Sequence, residues 1–276
     1  MEQDQASPHV PVPLGDVEPH AGLLRLPLDE QALYKITTVE NLLRSIVGKY
    51  LHFNRVDSYP DFPGVDLNDG QQLPGDQPGN ASARFQKAPE FSAADYYDQS
   101  RARTYACCFS LENSAHIWNT YGKDSAKGKA CVVFSFRKLR ARLNRTLQPG
   151  NAAVLYNGVE CLQIFSVNYG IVEYVDWHAH RANAKFLPNP IEYTYLKDRQ
   201  FSEEKELRVS LSALGMGHFA LDDGAIMQFP LSLQLSFDFK AAMADGTIQQ
   251  LLLSPDTDVD FLNGELQKLR IVAKEG

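Results

Sequence analysis

Cysteine is scarce in this sequence: four residues, Cys107, Cys108, Cys131 and Cys161, in a chain of 276. Four thiols in so long a chain do not make a disulfide scaffold, and none of their spacings is the paired two-by-two pattern of a zinc site, so a reducing compartment is expected. Long apolar runs are missing too. No window approaches the roughly 20 apolar residues of a membrane span. The start, Met1-Glu2-Gln3-Asp4-Gln5, has neither the basic nor the apolar segment of a signal peptide. The reading is a cytoplasmic protein with no membrane partner. There is no surplus of basic charge: 27 Lys and Arg stand against 34 Asp and Glu, a formal net charge of −7, which argues against coating bulk nucleic acid or an anionic membrane. A glycine-rich phosphate loop before a helix is absent, which disfavours Rossmann and P-loop enzymes. No carboxylate cluster is spaced as a two-metal nuclease requires.

What is present is an ordinary globular composition, 44% hydrophobic and 22% charged, with enough chain for a sizeable core. Residues 1–28 carry Pro8, Pro11, Pro13, Pro19 and Pro27 among small and acidic residues and read as an extended, poorly ordered leader. Residues 29–276 read as a single α+β domain, because helices and strands follow one another without regular βαβα alternation. A β-prone run at 33–37 passes through Thr38, a fitting N-cap, into a helix over 39–47. Its Val39, Leu42, Leu43 and Ile46 share one face, and Gly48 is the stop. Further strands are predicted at 50–53, 104–110, 130–136, 162–167, 171–175, 204–211 and 248–254, and helices at 93–103, 115–121, 193–201 and 259–269. Between 57 and 80, Pro60, Pro63, Pro74 and Pro78 alternate with four glycines, and five aspartates have no basic residue among them. This predicts a long acidic loop, either a lid or plain connection.

The segment Phe201-Ser202-Glu203-Glu204-Lys205-Glu206-Leu207-Arg208-Val209-Ser210-Leu211 carries the most chemistry. As a strand it turns Glu204, Glu206, Arg208 and Ser210 to one face and Lys205, Leu207, Val209 and Leu211 to the other. Arg208 then holds Glu206 ionised while Glu204 addresses another part of a ligand. Such a pair suits a reaction that builds positive charge at a sugar carbon. A solvated strand face would give the same alternation.

Tyr34-Lys35-Ile36-Thr37-Thr38-Val39-Glu40-Asn41-Leu42-Leu43, with Ile46 and Gly48, resembles the first strand and helix of the DNA-modifying ADP-ribosyltransferase toxins, with Lys35 standing where those toxins have His. The Cys108-Phe109-Ser110 run, the helix from Trp118 to Tyr121 with Gly128 beyond it, and Lys197 followed by Glu204-x-Glu206-x-Arg208 resemble a bacterial family of domains of unknown function, the DUF2971-type proteins, often found among phage-defence genes. The resemblance implies an ADP-ribosyltransferase-like fold, a split pair of small antiparallel or mixed sheets flanked by helices, with NAD in the cleft between them. It implies Glu206 as the catalytic residue and Glu204 beside the acceptor. Tyr34, Lys35 and Thr37 fall on the first NAD-contacting strand, Ser110 props the catalytic Glu, Tyr121 or Trp118 stacks on nicotinamide, and Arg208 joins the cofactor-binding set. The implied activity is that of an NAD-consuming toxin or phage-defence effector with a protein or nucleic-acid acceptor and an antitoxin or other defence protein as partner. A non-catalytic nucleotide-sensing or protein-interaction module is the alternative, kept open by Lys35 in place of His.

Three weaker features complete the reading. In Asp176-Trp177-His178-Ala179-His180 both histidines share a face if the segment is a strand, but no third ligand is fixed and surface histidines are the plainer account. Cys107 and Cys108 in an apolar strand read as packing residues. Arg137, Lys138, Arg140, Arg142 and Arg145 form one basic cluster, either a phosphate-tracking patch or a solvated helix face.

Overall fold

The computed structural model describes residues 17–61, 66–123, 125–148, 151, 153–181, 189–214 and 217–270. In chain order the strands are β1 (Ala32–Thr38), β2 (Tyr50–Arg55), β3 (Arg84–Phe85), β4 (Ala88–Ser92), β5 (Thr104–Ser110), β6 (Lys129–Ser135), β7 (Val154–Tyr156), β8 (Val159–Glu160), β9 (Phe165–Ile171), β10 (Glu173–Val175), β11 (Leu196–Asp198), β12 (Glu206–Ala213), β13 (Phe219–Ala220), β14 (Ile226–Met227), β15 (Ser232–Ser236) and β16 (Ile248–Leu253). The helices are α1 (Val39–Gly48), α2 (Gln77–Ser82), α3 (Ala93–Arg101), α4 (Ala115–Thr120), α5 (Phe136–Thr146), α6 (Pro190–Tyr193), α7 (Phe239–Ala244) and α8 (Val259–Lys268). The fold is mixed α+β. Ten strands form one large antiparallel sheet, and three two-stranded sheets stand beside it.

The local signals in the sequence explain most of these elements. Thr38 caps α1 by accepting from the Asn41 amide, and the helix ends where Lys49 turns left-handed at φ 52°, one residue past the predicted glycine stop. Ser92 and Asp95 close a capping box on α3, and Ser114 caps α4. The run predicted as helix over 193–201 is not one. The chain leaves α6, forms β11 in parallel pairing with β10, and then tightens into a 3₁₀ turn over Arg199–Glu204. Pairing between strands distant in sequence overrides the local propensity there.

The sheet branches at β5. One edge of β5 pairs with β12 along its whole length, from Thr104↔Ser212 to Ser110↔Glu206. The other edge is shared: β1 meets it at Tyr34↔Ser110, and β2 at Asn54↔Ala106 and Arg55↔Tyr105. Both strands run antiparallel to β5, so they are parallel to each other, joined by α1. Over residues 107–109 neither of them pairs with β5, and the sheet opens there into a fork. The expected pair of separate small sheets is thus one continuous sheet, held together by the single Tyr34↔Ser110 contact.

Leu33, Phe53, Phe134, Leu207, Val209, Leu211 and Leu235 form the main core, closed by Leu42 and Ile46 of α1, Leu139 and Leu143 of α5, and Leu262 and Leu266 of α8. A smaller cluster of Leu73, Ala93, Tyr97, Val175, Trp177 and Tyr193 packs the segments 66–101 and 173–198 together. Two expectations change here. In the acidic loop, where residues 62–65 lie outside the described residues, Asp66, Asp69, Gln72 and Asn80 are buried, because the loop is a packed part of that smaller cluster. In the leader, residues 1–16 lie outside the described residues. Residues 17–28 are hydrogen-bonded along the outer edge of β9, where Val167 donates to the Val17 carbonyl and Ile171 to that of Arg25, both at 2.8 Å.

Candidate functional site

A cavity of about 920 Å³ opens at the fork, walled by β1, α1, β2, β5, the C-terminal end of α4 and the start of β12. Tyr34, Lys35, Thr37, Ser110, Tyr121, Glu204, Glu206 and Arg208 all line it. Register explains the convergence of three of them. Tyr34 is directly opposite Ser110, and Ser110 directly opposite Glu206, so the three stand in one row across β1, β5 and β12 on one face of the sheet.

Glu206 is the most tightly held of these groups. Arg208, on the same face two residues on, donates from Nε to Oε1 at 2.7 Å and from a terminal nitrogen to Oε2 at 3.1 Å. The rest of its guanidinium goes to Asp69, at 2.5 and 2.9 Å, and to the Thr194 carbonyl at 2.6 Å. Five N–H donors meet five acceptors, which fixes the plane of a side chain that is 0% exposed. Lys197 from β11 donates to Glu204 at 2.5 Å and to Glu206 at 3.4 Å, so one ammonium serves both carboxylates. The Cys108 thiol also bonds Glu206.

These surroundings separate the carboxyls. Burial pushes Glu206 upward, but the Arg208 and Lys197 cations outweigh it and hold the group down at about 2. For Glu204 burial prevails: the pull of Lys197 is insufficient against desolvation and the Glu206 charge, and the carboxyl lies above its ordinary value. Burial likewise raises Asp69, despite Arg208 and Lys197. The site therefore holds one carboxylate kept firmly ionised, Glu206, and two carboxyls, Glu204 and Asp69, that hold a proton more readily than usual. Burial also raises the Cys108 thiol, which makes it a poor nucleophile.

Several placements differ from expectation. Glu204 is not on a strand with Glu206. It ends the 3₁₀ turn, and Lys205 at φ 47° reverses the chain so that both carboxylates still reach the cavity. The Glu206, Arg208 and Ser210 face of β12 is not solvated: all three are buried, because the segments carrying Asp69, Thr194 and Tyr195 cover it. Ser110 does not prop the Glu206 side chain. Its hydroxyl donates to the Glu204 carbonyl at 2.8 Å, with the Glu112 carbonyl at 2.9 Å, and so secures the turn that carries Glu204. Lys35 projects into the fork and donates to the Cys108 carbonyl at 3.1 Å. Tyr121 bonds Glu204, whereas Trp118 lies outside the cavity with its indole on Asn113 at 2.7 Å.

Sequence reasoning missed Asp69, which sits 139 residues from Arg208 in an acidic loop with no periodic signal, and gave Lys197 no role. The basic cluster lies on α5, where Arg140 pairs with Glu18 at 2.6 Å and Arg142 with Asp245, so two of its five cations are paired within the chain. His178 and His180 lie in a turn after Asp176, and no group of three metal-ligating side chains exists among the described residues. Among those residues no helix is long and apolar enough to cross a membrane. Compared with protein-family models, curated proteins and solved structures, the chain gives no significant match.

Proposed function

We propose that the fork cavity binds NAD and that the protein is an ADP-ribosyltransferase-like effector, a toxin or phage-defence protein, acting on a protein or nucleic-acid acceptor. One observation carries the reading: Tyr34, Ser110 and Glu206 stand in a single row beside a fork between β1 and β2, with a firmly ionised carboxylate at its end. In this reading the branching of the sheet plays the part of the split in an ADP-ribosyltransferase-like fold. The volume, about 920 Å³, is at the upper end of the range of ligand pockets.

The chemistry follows from the two carboxylates. The bond between the nicotinamide nitrogen and ribose C1′ breaks, its electron pair leaving with neutral nicotinamide. Glu206 faces the positive charge that develops at C1′, where a fixed anion in a water-poor site acts strongly. The acceptor attacks C1′ and loses its proton to Glu204, whose raised affinity for protons suits it to the task. Incubation with labelled NAD and cell lysate tests this: nicotinamide release and label transfer are expected, and Glu206→Gln should lower both by about a hundredfold or more. Folded protein that does neither overturns the reading.

A second reading, nucleotide binding without turnover, is favoured by one feature. Arg208, Lys197 and Cys108 already occupy Glu206, so a ligand hydroxyl must displace one of them. Calorimetry that finds NAD bound, with no nicotinamide released, selects it.

A further inference from the structure

Two carboxylates in a shared, poorly hydrated site do not both ionise unless a cation stands between them, since each raises the other's proton affinity. Glu204 and Glu206 are 6% and 3% exposed. Arg208 bonds Glu206 through both carboxylate oxygens, at 2.7 and 3.1 Å. Lys197 bonds both acids, at 2.5 and 3.4 Å, and its side chain is 7% exposed. It lies over the Phe201 ring at 5.1 Å, a contact that keeps the ammonium in place between the two acids.

We propose that Lys197 is the positioning residue of this site, the group that lets Glu204 and Glu206 carry charge together. The groups facing the pair from the surrounding elements are Asp69 from the buried loop, Arg208 on β12, Tyr121 after α4, Cys108 on β5, Tyr174 on β10 and Lys35 on β1. Asp69 is bound by Arg208, the Tyr174 hydroxyl oxygen accepts from the Glu206 backbone amide at 2.9 Å, and Tyr121 bonds Glu204 without adding charge. Lys197 is therefore the main cation acting on Glu204. Its consequence for rate rests on the transfer reading above; its effect on titration does not.

The test is the titration of Glu204, followed by carboxyl carbon NMR and assigned with Glu204→Gln, in the full chain. Lys197→Met and Lys197→Gln should move the Glu204 midpoint upward by about 1 pH unit or more, and Lys197→Arg should bring it back. Nicotinamide release should show the same displacement of its pH profile, with KM for NAD changed less than kcat. A Glu204 midpoint that stays put in a folded neutral variant overturns the proposal. If neither neutral variant folds, Lys197→Arg decides: a midpoint within about 0.5 unit of the parent supports the ion pair, and a folded variant with a larger upward shift overturns it. Wild-type protein that releases no nicotinamide sinks the transfer reading while leaving this titration to decide on Lys197.

Discussion

At the scale of single residues, the cavity shows how much a buried charge depends on its partners. Glu206 in the folded chain lies near 2, below its ordinary 4.5. A carboxylate held down in this way contributes stability that is complete above pH 4.5 and is lost as the pH falls through about 2. Glu204 and Asp69 have the opposite sign: raised in the folded state, they cost stability when ionised, and protonation relieves that cost as the pH drops through their folded values. Urea unfolding followed against pH should therefore show a steep loss below pH 4.5 in the parent protein. Glu206→Gln should flatten that loss, whereas Glu204→Gln should leave it in place. The alternation of Glu206, Leu207, Arg208 and Val209 was readable directly, because a strand has a period of two. Asp69 was not, since no local pattern tells which of five aspartates will meet an arginine 139 positions away.

At the scale of elements, the wall of the cavity formed by α1 depends on a turn that the helix does not contain. Glu40 in its first turn accepts from the amides of Ala126 and Lys127, both at 3.0 Å, and from the Ser125 hydroxyl at 2.7 Å. The Gly128 carbonyl in turn accepts from Val39, at the start of α1, at 3.0 Å. Gly128 has φ +83°, and a Cβ there would come within 2.4 Å of the Thr257 Cα and 2.8 Å of the Asp256 carbonyl. Both obstacles are backbone, which cannot swing aside. Gly128→Ala is expected to destabilise the protein by more than about 1 kcal/mol, measured by chemical denaturation, and, on the NAD reading proposed above, to weaken NAD binding through the displaced start of α1. The cap at Thr38 is a local device and was visible in the sequence, as were the strands 104–110 and 248–253, whereas the capping box at Ser92 was not read there. The 3₁₀ turn before Glu206 was not, because what stops helix there is the parallel pairing of β11 with β10, a contact between segments about 20 residues apart.

At the scale of the whole molecule, one edge and one face of the sheet are covered by different segments. The outer edge of β9 is covered by residues 17–25, anchored where Glu18 accepts from Arg140 at 2.6 Å and from Asn144. Deleting residues 1–28 should expose the Val167 and Ile171 amides as an unpaired edge, and such edges recruit other strands. The expected outcome is concentration-dependent self-association, read by size-exclusion chromatography with light scattering, and Glu18→Ala should weaken the same anchor without removing the strap. The segments 66–101 and 173–198 have a second role beyond their own small core. They bring Asp69, Thr194 and Lys197 onto β12 and so convert a charged strand face into an interior one.

By itself the sequence determined what local forces govern: an α+β composition, the capped helices, the β-prone runs, and the placement of Glu206 and Arg208 on one face of a strand. It also marked Tyr34, Ser110, Tyr121 and Glu204 as residues to watch, through their resemblance to a known arrangement. Tertiary structure alone decided that these residues meet at a fork in one sheet, that the acidic loop is packed rather than solvated, and that Lys197 and Asp69 complete the charge cluster. The reason is physical. A strand's period and a helix's cap act over a few residues, whereas the ionisation of a carboxylate depends on which charges the fold brings within a few ångström and on how much water it leaves there.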